Sequence, residues 1–275
     1  MRFYSTVSFF CGFLMGNVFI INVGVNASHG QLRSPVFDDG TFEFIPIPEQ
    51  GRRRCCPECG TLPRYCDLES FNGLNLSKFI PAKYYHCRVH NDPEFVSYTY
   101  GDYPTISPRA TNLQKVEKGD SIFFLARLVK YRNEVFTKDA GFYLIGYFEV
   151  EDILKEVTAR PKRSIGKFIN NAHMRRALYD QKLWNSFWVF KGSKHSCRFE
   201  YSIPFSKDFA EKILRDSSGH KIIWDEKRTE LQVIGSHTRA CRMINDKNRL
   251  RIFWEIIERT INMQNMKSKL RVRKP

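Results

Sequence analysis

Three polar blocks in the N-terminal part of the chain, NASHG, DDGTFEF and HNDPEFVSYTYGD, place histidines and carboxylates close together in an otherwise basic sequence. His29 sits with Asn26 and Ser28 just after the first apolar run, and a turn at the carboxyl end of a strand is where α/β proteins often gather ligand groups. Asp38, Asp39, Glu43 and Glu49 follow, and His90 and Asp92 open the third block. Taken as one constellation, His29, Asp38, Asp39, Glu43, His90 and Asp92 form a candidate catalytic set able to hold a divalent metal or to share a proton. The plainer alternative is that Asn, Ser and Gly merely build a turn and the acids neutralise nearby arginines.

A second group suits nucleic acid. Tyr98 and Tyr100 offer aromatic faces on which a base can stack, unless they are ordinary structural tyrosines. INNAHMRR carries Asn171, His173, Arg175 and Arg176 on an expected helix, where Asn suits base edges and Arg suits phosphates; a solvated helix face is the competing reading. SHTRACR brings Arg239 and Arg242 just ahead of the last helix, as a phosphate clamp at its N-terminus. Cys56 and Cys59 form a C-x-x-C knuckle, and Cys66 and Cys87, or His86 and His90, can complete a structural zinc site. No second knuckle is present, so a redox or inert loop stays open.

The surrounding composition narrows the partner. Forty-four Lys and Arg against 29 Asp and Glu give a formal charge of +15, which favours a polyanion: DNA, RNA or a nucleotide first, an anionic membrane surface second. The basic end KSKLRVRKP supplies part of that excess, but Arg52-Arg53-Arg54, the stretch from Ala159 and Arg175-Arg176 supply more. P-loop, Rossmann glycine, G-x-S-x-G and H-E-x-x-H motifs are all missing, which excludes the best-marked ATPases, dehydrogenases, serine hydrolases and zincins. The apolar opening is broken by Gly12, Gly16, Asn17 and Asn22. Residues 1–14 therefore read as an extension outside the core, with no stable membrane insertion and a cytoplasmic location expected.

The elements that must position these groups are mixed. VFIINVGV has the β-branched character of a buried strand. GDSIFFLARLVKY and GFYLIGYFEVEDI, separated by RNEVFTKDA, predict an antiparallel hairpin. Pro46 and Pro48 keep the extended stretch around Phe42, Phe44, Ile45 and Ile47 from the middle of a sheet. KFINNAHMRRALYDQ predicts a helix, WNSFWVFKG a strand, and SKDFAEKILR a short helix capped by Ser206 or Asp208. Leu250, Phe253, Trp254, Ile257 and Ile261 form one apolar stripe on a final amphipathic helix. The expected architecture is one α+β domain over 15–262 with a mixed or antiparallel sheet, a Cys-rich insertion near 50–90, and a disordered basic tail over 263–275.

In this order, INVGVNASHGQLRSPVFDDGTFEFIPIPE, HNDPEFVSYTYGD, GDSIFFLARL, FYLIGYFEV, NNAHMRR and FWVFKGSKHSCRF resemble the third family of nucleotide-modification-associated domains. The resemblance spans about residues 18–245 and implies a setting in base modification, as a modifying enzyme or a reader of a modified base. A metal-dependent nuclease or free-nucleotide enzyme, and a non-catalytic basic interaction module, are the alternatives. The cysteine-rich segment departs from the family's pattern. The paired runs GDSIFFLARL and FYLIGYFEV also look like the hairpin of PUA-like barrels, a likeness of fold alone.

Overall fold

A computed structural model of the protein describes residues 16–49, 62–162, 165–216 and 218–272. Its strands are β1 (Val18–Val23), β2 (Ser34–Val36), β3 (Ile47–Pro48), β4 (Val89–His90), β5 (Thr99–Asp102), β6 (Ser121–Arg132), β7 (Val135–Val157), β8 (Phe187–Gly192), β9 (Cys197–Pro204) and β10 (Arg242–Ile244). The α-helices are α1 (Ile165–Phe168), α2 (Ala172–Tyr179), α3 (Lys207–Ile213), α4 (Glu230–His237) and α5 (Lys247–Val272). The fold is mixed α+β. The main sheet has the order β10-β1-β6-β7-β8-β5, with β2 added to β6 and β9 to β7.

Burial on both faces explains the apolar run Val18–Ile21 of the first strand. Val18 and Ile20 point into a core shared with Phe123, Leu125, Phe253, Trp254 and Ile257, while Phe19, Ile21 and Val23 point into a second core with Phe124, Phe148, Trp188 and Phe190. β1 runs parallel to β6, and most other pairings are antiparallel. The expected hairpin is β6–β7, and it is tighter than its sequence suggests. Asn133 and Glu134, both with positive φ, make the turn, and the polar stretch beyond them is already strand. No closed barrel is found among the described residues, so the PUA-like expectation finds no support here.

The final helix presents its stripe as expected: Leu250, Phe253, Trp254 and Ile257 are buried and Ile261 is half-buried. Phe253 meets Phe123 edge-on at 4.7 Å, and Phe123 stacks on Tyr147 at 4.9 Å. The helix runs on to Val272, through most of the segment expected to be a disordered tail. Ser206 is the residue that caps α3. The helix expected over KFINNAHMRRALYDQ is divided into α1 and α2, because Asn171 takes an extended conformation and starts α2 as its N-cap. The short β3–β4 sheet stands apart from the main one, in keeping with its prolines. No described helix is long and apolar enough to cross a membrane.

Removing the Phe253 ring opens a cavity between α5 and the sheet. Phe253→Ala is expected to cost about 3–5 kcal/mol in urea unfolding, against a change within about 0.5 kcal/mol for Met263→Ala on the open side of the helix.

Candidate metal centre

Four short elements meet on Asp92. Pairing of β3 with β4 sets Ile47 opposite His90, so Glu49, two residues along β3's line, reaches the same face as His90. The chain then turns through Asp92 and returns as β5, whose pairing with β8 places Gly101 opposite Val189. The Gly101 N–H donates to Asp92 Oδ2 at 2.9 Å. From the other side comes the start of α2. Asn171 accepts the His173 N–H on its Oδ1 at 3.0 Å and donates from Nδ2 to the same Asp92 oxygen at 3.2 Å. One side chain thus caps the helix and holds the carboxylate, and the helix delivers His173 two residues later.

The result is a compact group of three. His90 Nε2 lies 3.2 Å from His173 Nε2, and these atoms lie 3.8 and 3.6 Å from Asp92 Oδ2. Among the described residues, this is the group of His, Cys, Asp and Glu whose donor atoms converge closely enough for one metal ion. Donors about 2.0–2.2 Å from a shared ion lie roughly 3.0–3.5 Å from one another, so closure needs only a few tenths of an ångström. Behind His90, Glu49 Oε2 stands 3.6 Å from Nδ1, just beyond hydrogen-bond length, on the side from which carboxylates support metal-bound histidines. Arg176 Nε in turn lies 3.5 Å from that oxygen. Gly101 is required by space: a Cβ there would stand 2.5 Å from His173 Cδ2 and 2.8 Å from Asn171 Oδ1.

The electrostatics of this group are set by burial. Desolvation raises the Asp92 carboxyl well above its ordinary range, opposed by the Gly101 and Asn171 hydrogen bonds and reinforced by Asp102 and Glu94. Desolvation likewise holds His173 well below the usual imidazole range, with repulsion from His90 and Arg176 added and the Gly101 backbone partly offsetting it. A neutral His173 keeps a lone pair available to a cation. Asp92 Oδ1 is buried with no hydrogen-bond partner. His173 is held between the rings of Tyr103 at 5.0 Å and Phe187 at 5.6 Å. A cavity of about 220 Å³ adjoins these segments, lined by Asn91, Glu94, Asn170, Ala172 and Arg175 among others.

The remaining expected catalytic residues lie elsewhere, so a single site containing all six does not form. His29 ends a short 3-10 turn, where its Nδ1 accepts the Asn26 N–H. Asp38 pairs with Arg132, and Asp39 accepts the Thr41 N–H and hydroxyl. Glu43 is buried and holds the 70–72 loop through Ser70, Phe71 and Asn72, with Arg198 at 4.0 Å. These are structural duties.

The base-stacking and phosphate sets change as well. Tyr100 is buried against Phe124 and Phe190 and donates to Asp102, so it has no face to offer a base. Tyr98 packs against Phe148 and remains half-buried. Asn171, His173 and Arg176 belong to the centre rather than to an outer helix face, while Arg175 lines the adjoining cavity. Arg239 is exposed at the end of α4, and Arg242 donates to the Arg215 carbonyl from β10, so neither forms a clamp at the start of α5. Cys87 is buried with its thiol directed at the Lys83 carbonyl, and Cys66 lies 3.9 Å from His86 Nδ1. Cys56 and Cys59 lie outside the described residues.

The model of nucleotide modification associated domain 3 matches residues 17–249, which covers most of the chain and every residue of this centre. The chain belongs to that family. No curated protein and no solved structure matches it. The family's name carries an association with nucleotide modification, and its match spans His90, Asp92 and His173.

The carboxyl shift has a sign that can be tested in chelator-treated protein. With its folded pKa raised, Asp92 costs nothing while both states are protonated, and its cost grows as pH rises from the unfolded pKa to the folded one. Asp92→Asn keeps an oxygen for the Gly101 and Asn171 donors. Its Tm is therefore expected to match wild type below the ordinary aspartate pKa of 3.8 and to exceed it increasingly toward pH 8. Gly101→Ala is expected to lower Tm at every pH.

Proposed function

We propose that this chain is a base-modifying enzyme acting on nucleic acid or nucleotides, with a divalent metal held by His90, Asp92 and His173 as its reaction centre. The observation that carries the reading is the convergence of two imidazole nitrogens and one carboxylate oxygen on a common point. Three protein donors leave further coordination positions for water or substrate, as in the two-histidine-one-carboxylate sites of non-haem iron proteins. A bound ion would supply Lewis acidity and a nucleophilic water near neutral pH.

The chain's own residues do the rest. Asn171 and Gly101 fix the direction of the Asp92 carboxylate, and the Glu49 carboxylate would orient the His90 ring through Nδ1 once a small approach closes their 3.6 Å gap. Tyr103 and Phe187 restrict the His173 ring and limit water around it. The adjoining cavity, with the amide of Asn91 and the guanidinium of Arg175 in its lining, is suited to a planar polar group such as a base presented outside its stack. The net charge of +15 supports a polyanionic substrate. A centre of this kind favours catalysis over mere reading of a modified base, since recognition alone needs no metal donors.

Elemental analysis of purified protein, followed by titration of the chelator-treated form with Mn²⁺, Fe²⁺ and Zn²⁺, is the first test. About one bound ion per chain is expected, lost in His90→Ala, Asp92→Asn and His173→Ala and weakened roughly 10–100-fold in Glu49→Gln. His29→Ala and Asp39→Asn are expected to bind like wild type. Nucleoside mass spectrometry of DNA and RNA from cells expressing the chain should then show a mass-shifted nucleoside that disappears in Asp92→Asn. Equal metal binding by wild type and the three ligand variants would remove the reading.

A further inference from the structure

A second cleft, outside the metal centre, is lined by cations that no described acid neutralises. Its volume is about 360 Å³, within the roughly 300–1,000 Å³ of small-ligand sites, and its walls are Asn26, Gly30, Arg33, Arg127, Thr137 and Lys138 over an apolar floor of Leu32, Val129 and Phe136. Strand register builds it. β2 runs parallel to β6 with Ser34 beside Leu128, so Arg33, one residue before, falls next to Arg127. On β6 the row Phe123, Leu125, Arg127 turns from apolar to cationic where it leaves the core. Across the hairpin, Thr137 and Lys138 lie where the β6–β7 register breaks between Val129 and Tyr131.

We infer that this cleft binds the phosphate group of a nucleotide or of a nucleic-acid backbone. Among the described residues, Arg33, Arg127 and Lys138 carry no ion pair and no carboxylate lines the cleft. Asp139, the nearest acid along β7, is committed to Lys130 at 3.8 Å. Placing two guanidiniums side by side costs Coulomb energy that an anion between them returns. That repulsion is felt at Arg127, whose pKa lies below the ordinary value through burial first and Arg33 second. Arg33 is further steadied over the Phe136 ring, its Cζ 5.6 Å from the ring centre, and both residues line the cleft. Guanidinium forks, a lysine and the Thr137 hydroxyl are the donors that recognise phosphate oxygens.

The cleft stands on its own geometry; only the naming of its ligand as a nucleotide or nucleic acid rests on the function proposed above. The test measures binding of inorganic phosphate, adenosine 5′-monophosphate and a short fluorescein-labelled DNA duplex across a salt series. The proteins are wild type, Arg33→Gln, Lys138→Gln, the double variant, and Lys194→Gln as a control that removes one exposed charge elsewhere. Arg33 and Lys138 are exposed, so folding is expected to survive, as thermal melting will verify. The double variant should lose roughly tenfold or more in affinity. For the duplex, its salt slope should fall by about one per phosphate contact removed. Loss in the monophosphate arm assigns a free nucleotide, and loss in the duplex arm alone assigns backbone phosphate; each supports the cleft. Wild-type protein binding none of the probes, or a double variant indistinguishable from Lys194→Gln, overturns it. Metal binding should be unchanged in the double variant and phosphate binding unchanged in Asp92→Asn, so the two proposals fail separately.

Discussion

The carboxylate of Asp92 is the point on which the site depends. It is buried, and it accepts from the Gly101 backbone and the Asn171 side chain, so it ties β5 and the start of α2 to the turn that follows β4. A carboxylate so desolvated is costly unless hydrogen bonds or a cation offset it, and two hydrogen bonds to one oxygen leave the other without a partner. Everything nearby serves that arrangement: a glycine where any Cβ would collide, an asparagine that is helix cap and clamp at once, and a glutamate behind the more exposed histidine. Sites that store such strain are commonly functional, because a folding optimum alone would remove the charge.

Much of the scaffold was legible in the sequence because its signals are local. The first strand, the β6–β7 hairpin, the Ser206 cap and the α5 stripe each follow from periodicity or capping within one window. The turn at Asn133 and Glu134 was less legible: a polar run reads as a loop, although two left-handed residues suffice to reverse the chain and leave the rest in strand. The break between α1 and α2 turned on Asn171, whose capping role competes with an apparently continuous helical stretch.

The site was half legible. His90 and Asp92 stand two residues apart in one polar block, and their residue types alone mark them as candidates for metal or proton chemistry. His173 was placed with nucleic-acid contacts because it is 83 residues away from His90 and nothing local announces the encounter. Gly101 and Tyr103 carry no motif of their own. His29, Asp38, Asp39 and Glu43 misled for a physical reason: caps, turns and buried loop anchors draw on the same residue types as active sites. The cationic cleft was hidden in the same way, since Arg33, Arg127 and Lys138 are joined by strand register rather than by sequence.

Membership of nucleotide modification associated domain 3 gives the setting, and within it the two proposals concern separate places: a buried group of histidines and a carboxylate, and an open cleft lined by cations. The central claim is that His90, Asp92 and His173 share one ion. A crystal of the protein equilibrated with Mn²⁺ and measured for anomalous scattering tests it most directly. A single strong peak about 2.0–2.3 Å from both Nε2 atoms and the Asp92 oxygen is the predicted result. No peak there, with the two imidazoles hydrogen-bonded to each other across the same gap, would contradict it.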